Sequence, residues 1–236
     1  MEENRYSYID ENLARIKERM RACAADSAKA TPCVLLAAVK SAGIDEINYL
    51  HRVHGVCDIG ENRVQQLLGR YDSIEDRENI RLHFIGSLQR NKVKYIIDKV
   101  DMIHSVDSVE LAREIAKRCA SISKTMDILL EVNIGREESK SGLLPESLAE
   151  TARLVDSLDG VCIRGFMTMA PICENDSEYR RYFRQMRELA YEVWTSTLNR
   201  EGAPLLSMGM SQSFEPAIIE GADIVRIGRQ LFATPQ

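Results

Sequence analysis

Ser207-Met-Gly-Met-Ser211 and Val225-Arg-Ile-Gly-Arg229 are two glycine-containing turns about one helix apart, each following a short apolar run that reads as a buried strand. In a (β/α)8 barrel the loops after the seventh and eighth strands are a frequent phosphate site. Working outward from this pair, strand-like runs recur at 33–40, 56–59, 82–85, 101–105, 127–134, 161–167, 204–208 and 223–227. Segments of helical period separate them. In Ser108–Cys119, for example, apolar residues stand at 109, 111, 112, 115, 116 and 119. Strict alternation predicts a parallel sheet with crossover helices, and eight repeats favour a closed barrel over an open sheet. The expected fold is therefore α/β, a single (β/α)8 TIM barrel with one extra helix, near 9–25, ahead of it.

A length of 236 residues suits one barrel domain over 1–236, since this class needs roughly 200 to 250 residues. The chain is 44% hydrophobic and 28% charged, enough apolar material for a large core. Polar clusters at 71–81, 135–142 and 173–178 are short enough to be loops, and no linker-like stretch interrupts the pattern. A net charge of −5 with interspersed signs offers no basic face for nucleic acid. The longest apolar runs fall far short of the roughly 18–20 residues of a membrane span. Met1-Glu-Glu-Asn-Arg5 is acidic and lacks the apolar core of a secretory signal, so the expected location is the cytoplasm. Cysteines 23, 33, 57, 119, 162 and 173 show no C-x-x-C spacing and read as reduced packing residues.

The chemistry begins at Cys33-Val-Leu-Leu-Ala-Ala-Val39, an apolar run that stops at Lys40. Lysine ending a barrel strand either snorkels into solvent or stands at the barrel mouth as an amine able to condense with a carbonyl. A ligand carrying both a phosphate and an aldehyde would satisfy Lys40 and the C-terminal turns together. Pyridoxal 5′-phosphate carries that pair. Asn62, in Gly60-Glu-Asn-Arg63, either starts a helix or reaches the ligand's ring oxygen. Arg226 interrupts an apolar strand, so it needs a partner, either a nearby carboxylate or the pyridine nitrogen of the ligand. Because arginine only donates hydrogen bonds, it would keep that nitrogen unprotonated and the ring a weak electron sink. Gly228 and Arg229 would offer backbone N–H groups to the phosphate and Ser211 a hydroxyl. His83 lies on a strand aimed at the barrel top, where it lines the pocket or packs in the core. His51, His54, His83 and His104 form no convincing metal set, and no metal is expected. Lys140, in Glu138-Ser-Lys-Ser-Gly142, reads as a solvated loop charge.

Ordered along the chain stand Leu35-Leu-Ala-Ala-Val-Lys40, Gly60-Glu-Asn-Arg-Val-Gln65 and His83-Phe-Ile-Gly-Ser-Leu-Gln-Arg-Asn-Lys92. They are followed by Glu131-Val-Asn-Ile134 with Ser139-Lys-Ser-Gly142, then Arg164-Gly-Phe-Met167 and the two C-terminal turns. Together they closely resemble the family of pyridoxal phosphate homeostasis proteins, single barrels related to the N-terminal domain of alanine racemase. The resemblance implies pyridoxal phosphate held as a Schiff base on Lys40, Arg226 at the pyridine nitrogen, and phosphate around Ser211, Gly228 and Arg229. Asn62, His83, Met167 and Ser207 are expected at the cofactor as well. It further implies a role in vitamin B6 balance without established turnover; a monomer is expected because the racemase-type dimer contact has no counterpart, and pyridoxal-phosphate-dependent apoenzymes are the expected recipients. Three positions depart from the family pattern. Ala42 replaces a frequent second lysine, Arg229 a frequent threonine, and Gln66 a common acidic residue.

Two enzymatic alternatives stand beside this reading. An amino-acid racemase needs two positioned acid/base groups, and the second tyrosine-bearing domain of alanine racemases has no counterpart here, with eight residues after Gly228. A class I aldolase would use Lys40 on a substrate carbonyl and the phosphate site for a sugar phosphate.

Overall fold

Why an eight-strand pattern closes into a ring is visible in a computed structural model, which describes residues 5–234. The acidic start Met1–Asn4 lies outside the described residues. The strands are β1 (Val34–Ala38), β2 (Asp58–Glu61), β3 (Arg81–Phe84), β4 (Met102–Val106), β5 (Met126–Val132), β6 (Val161–Thr168), β7 (Leu205–Met210) and β8 (Ile224–Ile227). All pairings are parallel, and β8 returns to β1 through the register Leu36↔Arg226, closing the barrel in chain order. Each lies within three residues of its expected bounds.

The helices are α1 (Ser7–Ala24), α2 (Ile44–His54), α3 (Val64–Arg70), α4 (Val109–Ala120), α5 (Leu148–Asp156), α6 (Asp176–Glu192) and α7 (Phe214–Ile219). In α4 the Ser108 hydroxyl accepts from the Leu111 N–H at 3.4 Å, and Leu111, Ala112, Ile115, Ala116 and Cys119 form the buried face the spacing predicts. The β3–β4 crossover departs from the helical expectation: it carries a 3-10 turn at Arg90–Tyr95, where three of the six residues are basic and only Val93 is buried. After β8 the chain makes one turn, with the Leu231 and Phe232 N–H groups donating to the Gly228 carbonyl. The extra helix α1 buries Ile9, Leu13 and Ile16 and is clamped to α7 by Arg19, whose Nε and Nη2 donate to Glu215 at 2.9 and 2.5 Å. Among the described residues, no helix is long and apolar enough to cross a membrane.

Strand residues alternate between two faces, and both are buried here. Outward residues such as Ala37, Ile59, Phe84, Ile103, Phe166 and Val225 join the main core beneath the helices. Inward residues form two smaller apolar clusters, Leu36–Ala38–Ile85–Ile224 and Met102–Leu129–Met167. His83, His104, Ser207 and Arg226 occupy inward positions of the same strands and are buried too.

Gly165 is the tightest point of the sheet. It has φ +156°, and a Cβ there would lie 2.0 Å from the Leu205 carbonyl oxygen and 2.5 Å from the Leu205 nitrogen. Backbone cannot yield as a flexible side chain does, so Gly165→Ala must separate β6 from β7. The expected loss in urea unfolding exceeds about 4 kcal/mol. A variant with the parent's midpoint would contradict this close approach.

Candidate functional site

Lys40 stands just beyond β1, after Val39 has made the last sheet bond to the Gly60 carbonyl at 3.0 Å. Its side chain is exposed, but its backbone is fastened on both sides. Arg70 Nη2 donates to the Val39 carbonyl at 3.1 Å and Nη1 to the Ala42 carbonyl at 2.9 Å, while Gln66 Nε2 donates to the Lys40 carbonyl at 2.9 Å. Arg70 is itself paired with the fully buried Glu61 on β2. The lysine is thus an exposed side chain on a backbone tied down by side chains of α3. The Gln66 departure acquires a reason, since an acidic residue has no N–H to give the carbonyl. Gln66→Glu is expected to cost about 0.5–1 kcal/mol in urea unfolding at neutral pH. An unchanged midpoint would mean that the bond contributes nothing.

Across the barrel mouth, Arg226 is 5% exposed. Its Nη1 donates to the Ser207 carbonyl at 2.8 Å and to Ser207 Oγ at 2.7 Å, and its Nη2 donates to the Thr168 carbonyl at 3.0 Å. Among the described residues, no carboxylate lies within ion-pair distance, so the alternative of a structural Arg–carboxylate pair is not realised. Burial lowers the guanidinium to about 10, with Glu131 acting in the opposite sense, and it stays charged at neutral pH. The same burial raises the carboxyl of Glu131, whose Oε1 accepts from Ser141 at 3.0 Å.

Lys40, Asn62, Ser211, Arg226, Gly228 and Arg229 meet around one cavity of about 260 Å³ at the C-terminal ends of the strands. That is slightly below the usual range for drug-sized ligands, about 300–1,000 Å³, and suits a small aromatic phosphate. The Asn62 side-chain oxygen is buried and has no protein partner, which marks an open position for a ligand hydrogen bond. Gly228 lets the β8 turn press against β1, since a Cβ would fall 2.5 Å from the Ala38 carbonyl oxygen. A larger open cleft of about 720 Å³ beside Gln89–Asn91 and Ser108 has no comparable convergence of lysine, arginine and glycine turns.

Three expected site residues do not line the cavity. His83 is fully buried and contacts His104 and Asp58; Ser207 lies beneath Arg226; Met167 packs with Met102 and Leu129. Their depth has one cause. On β3 and β6 these positions sit one inward step below Ile85 and Met169, which line the cavity, and on β7 Met210 lines it three residues beyond Ser207, past an irregularity in the strand register. Tyr179, on the first turn of α6, also lines the wall, and nothing in the sequence pattern marks it.

A closed barrel with a lysine at the end of its first strand and an arginine on its last defines the class of the alanine racemase N-terminal barrel. Residues 9–235 match the sequence profile of that family, described as alanine racemase, N-terminal domain. A pyridoxal phosphate homeostasis protein of Aquifex aeolicus is 43% identical over 226 residues, covering 94% of this chain and 96% of its own length. Among solved structures, an unknown protein from Bifidobacterium adolescentis superposes with a TM-score of 0.88 at 33% identity, covering 98% of this chain and 97% of its own. PipY of Synechococcus elongatus, with pyridoxal phosphate bound, superposes with a TM-score of 0.82 at 29% identity, covering 95% of this chain and 100% of its own. The chain belongs to the family of pyridoxal phosphate homeostasis proteins.

Proposed function

We propose that this protein binds pyridoxal 5′-phosphate at the barrel mouth, tethers its aldehyde to Lys40, and serves cellular vitamin B6 balance as a carrier without turnover. The observation that carries the reading is the meeting of an exposed amine, an unpartnered amide oxygen, a buried cation and two glycine-containing turns in one small cavity. Bound pyridoxal phosphate supplies an electrophilic carbonyl and a pyridine ring. The exposed Lys40 amine would reach that carbonyl from a backbone held by Arg70 and Gln66. The Asn62 side-chain oxygen would accept from the ring's hydroxyl, and Ser211, Gly228 and Arg229 would frame the phosphate. Arg226, already committed to three carbonyl and hydroxyl contacts, is held at the cavity wall and stays protonated at neutral pH. That arrangement favours retention over carbanion chemistry. The same reading takes residues 1–236 as one domain, the protein as a monomer, and cofactor-requiring apoenzymes as recipients.

The test is the visible spectrum of the loaded protein before and after borohydride reduction, with mass mapping of the modified residue. Absorbance fixed by reduction onto Lys40 supports the carrier reading. A protein that stays colourless with added pyridoxal phosphate overturns it and favours a lysine aldolase. Tyr179 in the wall gives the racemase alternative a concrete second group, so deuterium uptake at Cα of alanine in heavy water is the matching turnover assay. None is expected.

A further inference from the structure

Inside the barrel, a line of polar side chains runs from the N-terminal end of the sheet to the floor of the cavity. Asp58, the first residue of β2, has its Oδ1 3.0 Å from His83 Nε2. His83 Nδ1 is 2.9 Å from His104 Nε2, with the two rings edge-on at 90°. His104 Nδ1 is 3.0 Å from Ser207 Oγ, which accepts from Arg226 Nη1 at 2.7 Å. Both imidazoles and Ser207 are fully buried.

With both rings neutral, donor and acceptor capacity orients the line. Arginine only donates, so Ser207 Oγ receives from Arg226 and turns its own proton to His104 Nδ1. A neutral His104 then carries its proton on Nε2 and donates it to His83 Nδ1. His83 in turn carries its proton on Nε2 and donates it to the Asp58 carboxylate, which only accepts. The reverse sense with neutral rings would aim a lone pair of His83 at the carboxylate and leave the Ser207 proton without an acceptor. Burial, reinforced by the positive charges of Arg226 and Arg81, holds the His104 imidazole well below its ordinary value, which keeps it neutral. The charged groups around the line are few: Arg81 lies 3.8 Å from Asp58 at the lower end, and Glu131 acts on Arg226 at the upper.

We propose that Asp58, His83, His104 and Ser207 are positioning residues that hold Arg226 in register beneath the bound cofactor through one unidirectional hydrogen-bond line. The inference rests on the cofactor site proposed above. The line explains why two histidines and a serine occupy barrel positions where apolar residues would pack more simply, and why His83 serves the site without touching the cavity. It also couples Arg226 to the far end of the barrel. Protonating His83 would make both its nitrogens donors, reverse the His83–His104 and His104–Ser207 links, and withdraw the acceptor from Ser207.

The first readout is nitrogen-15 NMR of histidine-labelled protein without cofactor, with His83→Gln and His104→Gln to assign the signals. Both rings are expected as neutral Nε2–H tautomers with slowly exchanging protons. An Nδ1–H tautomer at either ring in wild-type protein overturns the line, whether or not pyridoxal phosphate binds. The second readout is pyridoxal phosphate affinity. His104→Gln and Asp58→Asn are expected to weaken binding by about tenfold, as for one charge-assisted hydrogen bond, while the borohydride label stays on Lys40. Parent affinity in both variants likewise overturns the positioning role. Wild-type protein that shows the expected tautomers but takes up no pyridoxal phosphate leaves the line intact, overturns the cofactor reading and removes the line's role in it.

The third readout is stability against pH. The folded value of His104 lies below its unfolded value of about 6.5, so the unfolded chain takes up a proton that the native ring refuses. Stability is therefore full above pH 6.5 and falls as pH drops, and the fall is expected to be shallower in His104→Gln. Equal slopes would contradict a neutral buried His104.

Discussion

Lys40→Ala is expected to yield a folded protein that cannot be coloured by pyridoxal phosphate. Removing the amine removes the only proposed covalent link, so no visible band that borohydride fixes should form, and retention after gel filtration should fall about a hundredfold. Stability should move by no more than about 0.5 kcal/mol, because the side chain is exposed and the local backbone is held by Arg70 and Gln66 through carbonyls that alanine keeps. The combination discriminates. A large drop in the urea midpoint would give Lys40 a structural role, and a band that persists in Lys40→Ala would move the anchor to another lysine.

Arg226→Leu should have the largest effect of any replacement within the cavity wall. Leucine fills part of the volume but leaves the Ser207 carbonyl, Ser207 Oγ and the Thr168 carbonyl without their buried donor. Stranding them is expected to cost about 3–5 kcal/mol in total. Arg226→Lys keeps the charge but cannot fork between β6 and β7, so it should recover only part of the loss. Parent stability in Arg226→Leu would show that the three oxygens find other donors, and the guanidinium would then be dispensable to the barrel floor.

The barrel was legible from local pattern because a parallel strand buried on both faces must be a continuous apolar run. Its crossover helix must carry a 3.6-residue stripe, as Leu111, Ala112, Ile115 and Cys119 do on α4. Lysine at the end of one such run, arginine within another and glycine after a third are exceptions to that pattern, and exceptions are readable. The depth of an inward residue was not readable in the same way. His83, Met167 and Ser207 are on the inward face, as expected of pocket residues, but strand tilt and stagger set which inward residue reaches the mouth. Tyr179 and the Gln66–Lys40 bond were invisible for a related reason, since each depends on how a helix settles against a strand end distant in sequence.

The chain's own order of residues therefore determined the closed α/β architecture, the lysine at the end of the first strand, the buried arginine and the paired glycine turns, because periodicity and its interruptions are local properties. The tertiary structure decided which side chains share the cavity and which lie beneath it. It also decided that a serine, two histidines and an aspartate from four strands align under Arg226. That alignment arises only when barrel closure brings together β2, β3, β4, β7 and β8, whose contributing residues lie far apart along the chain.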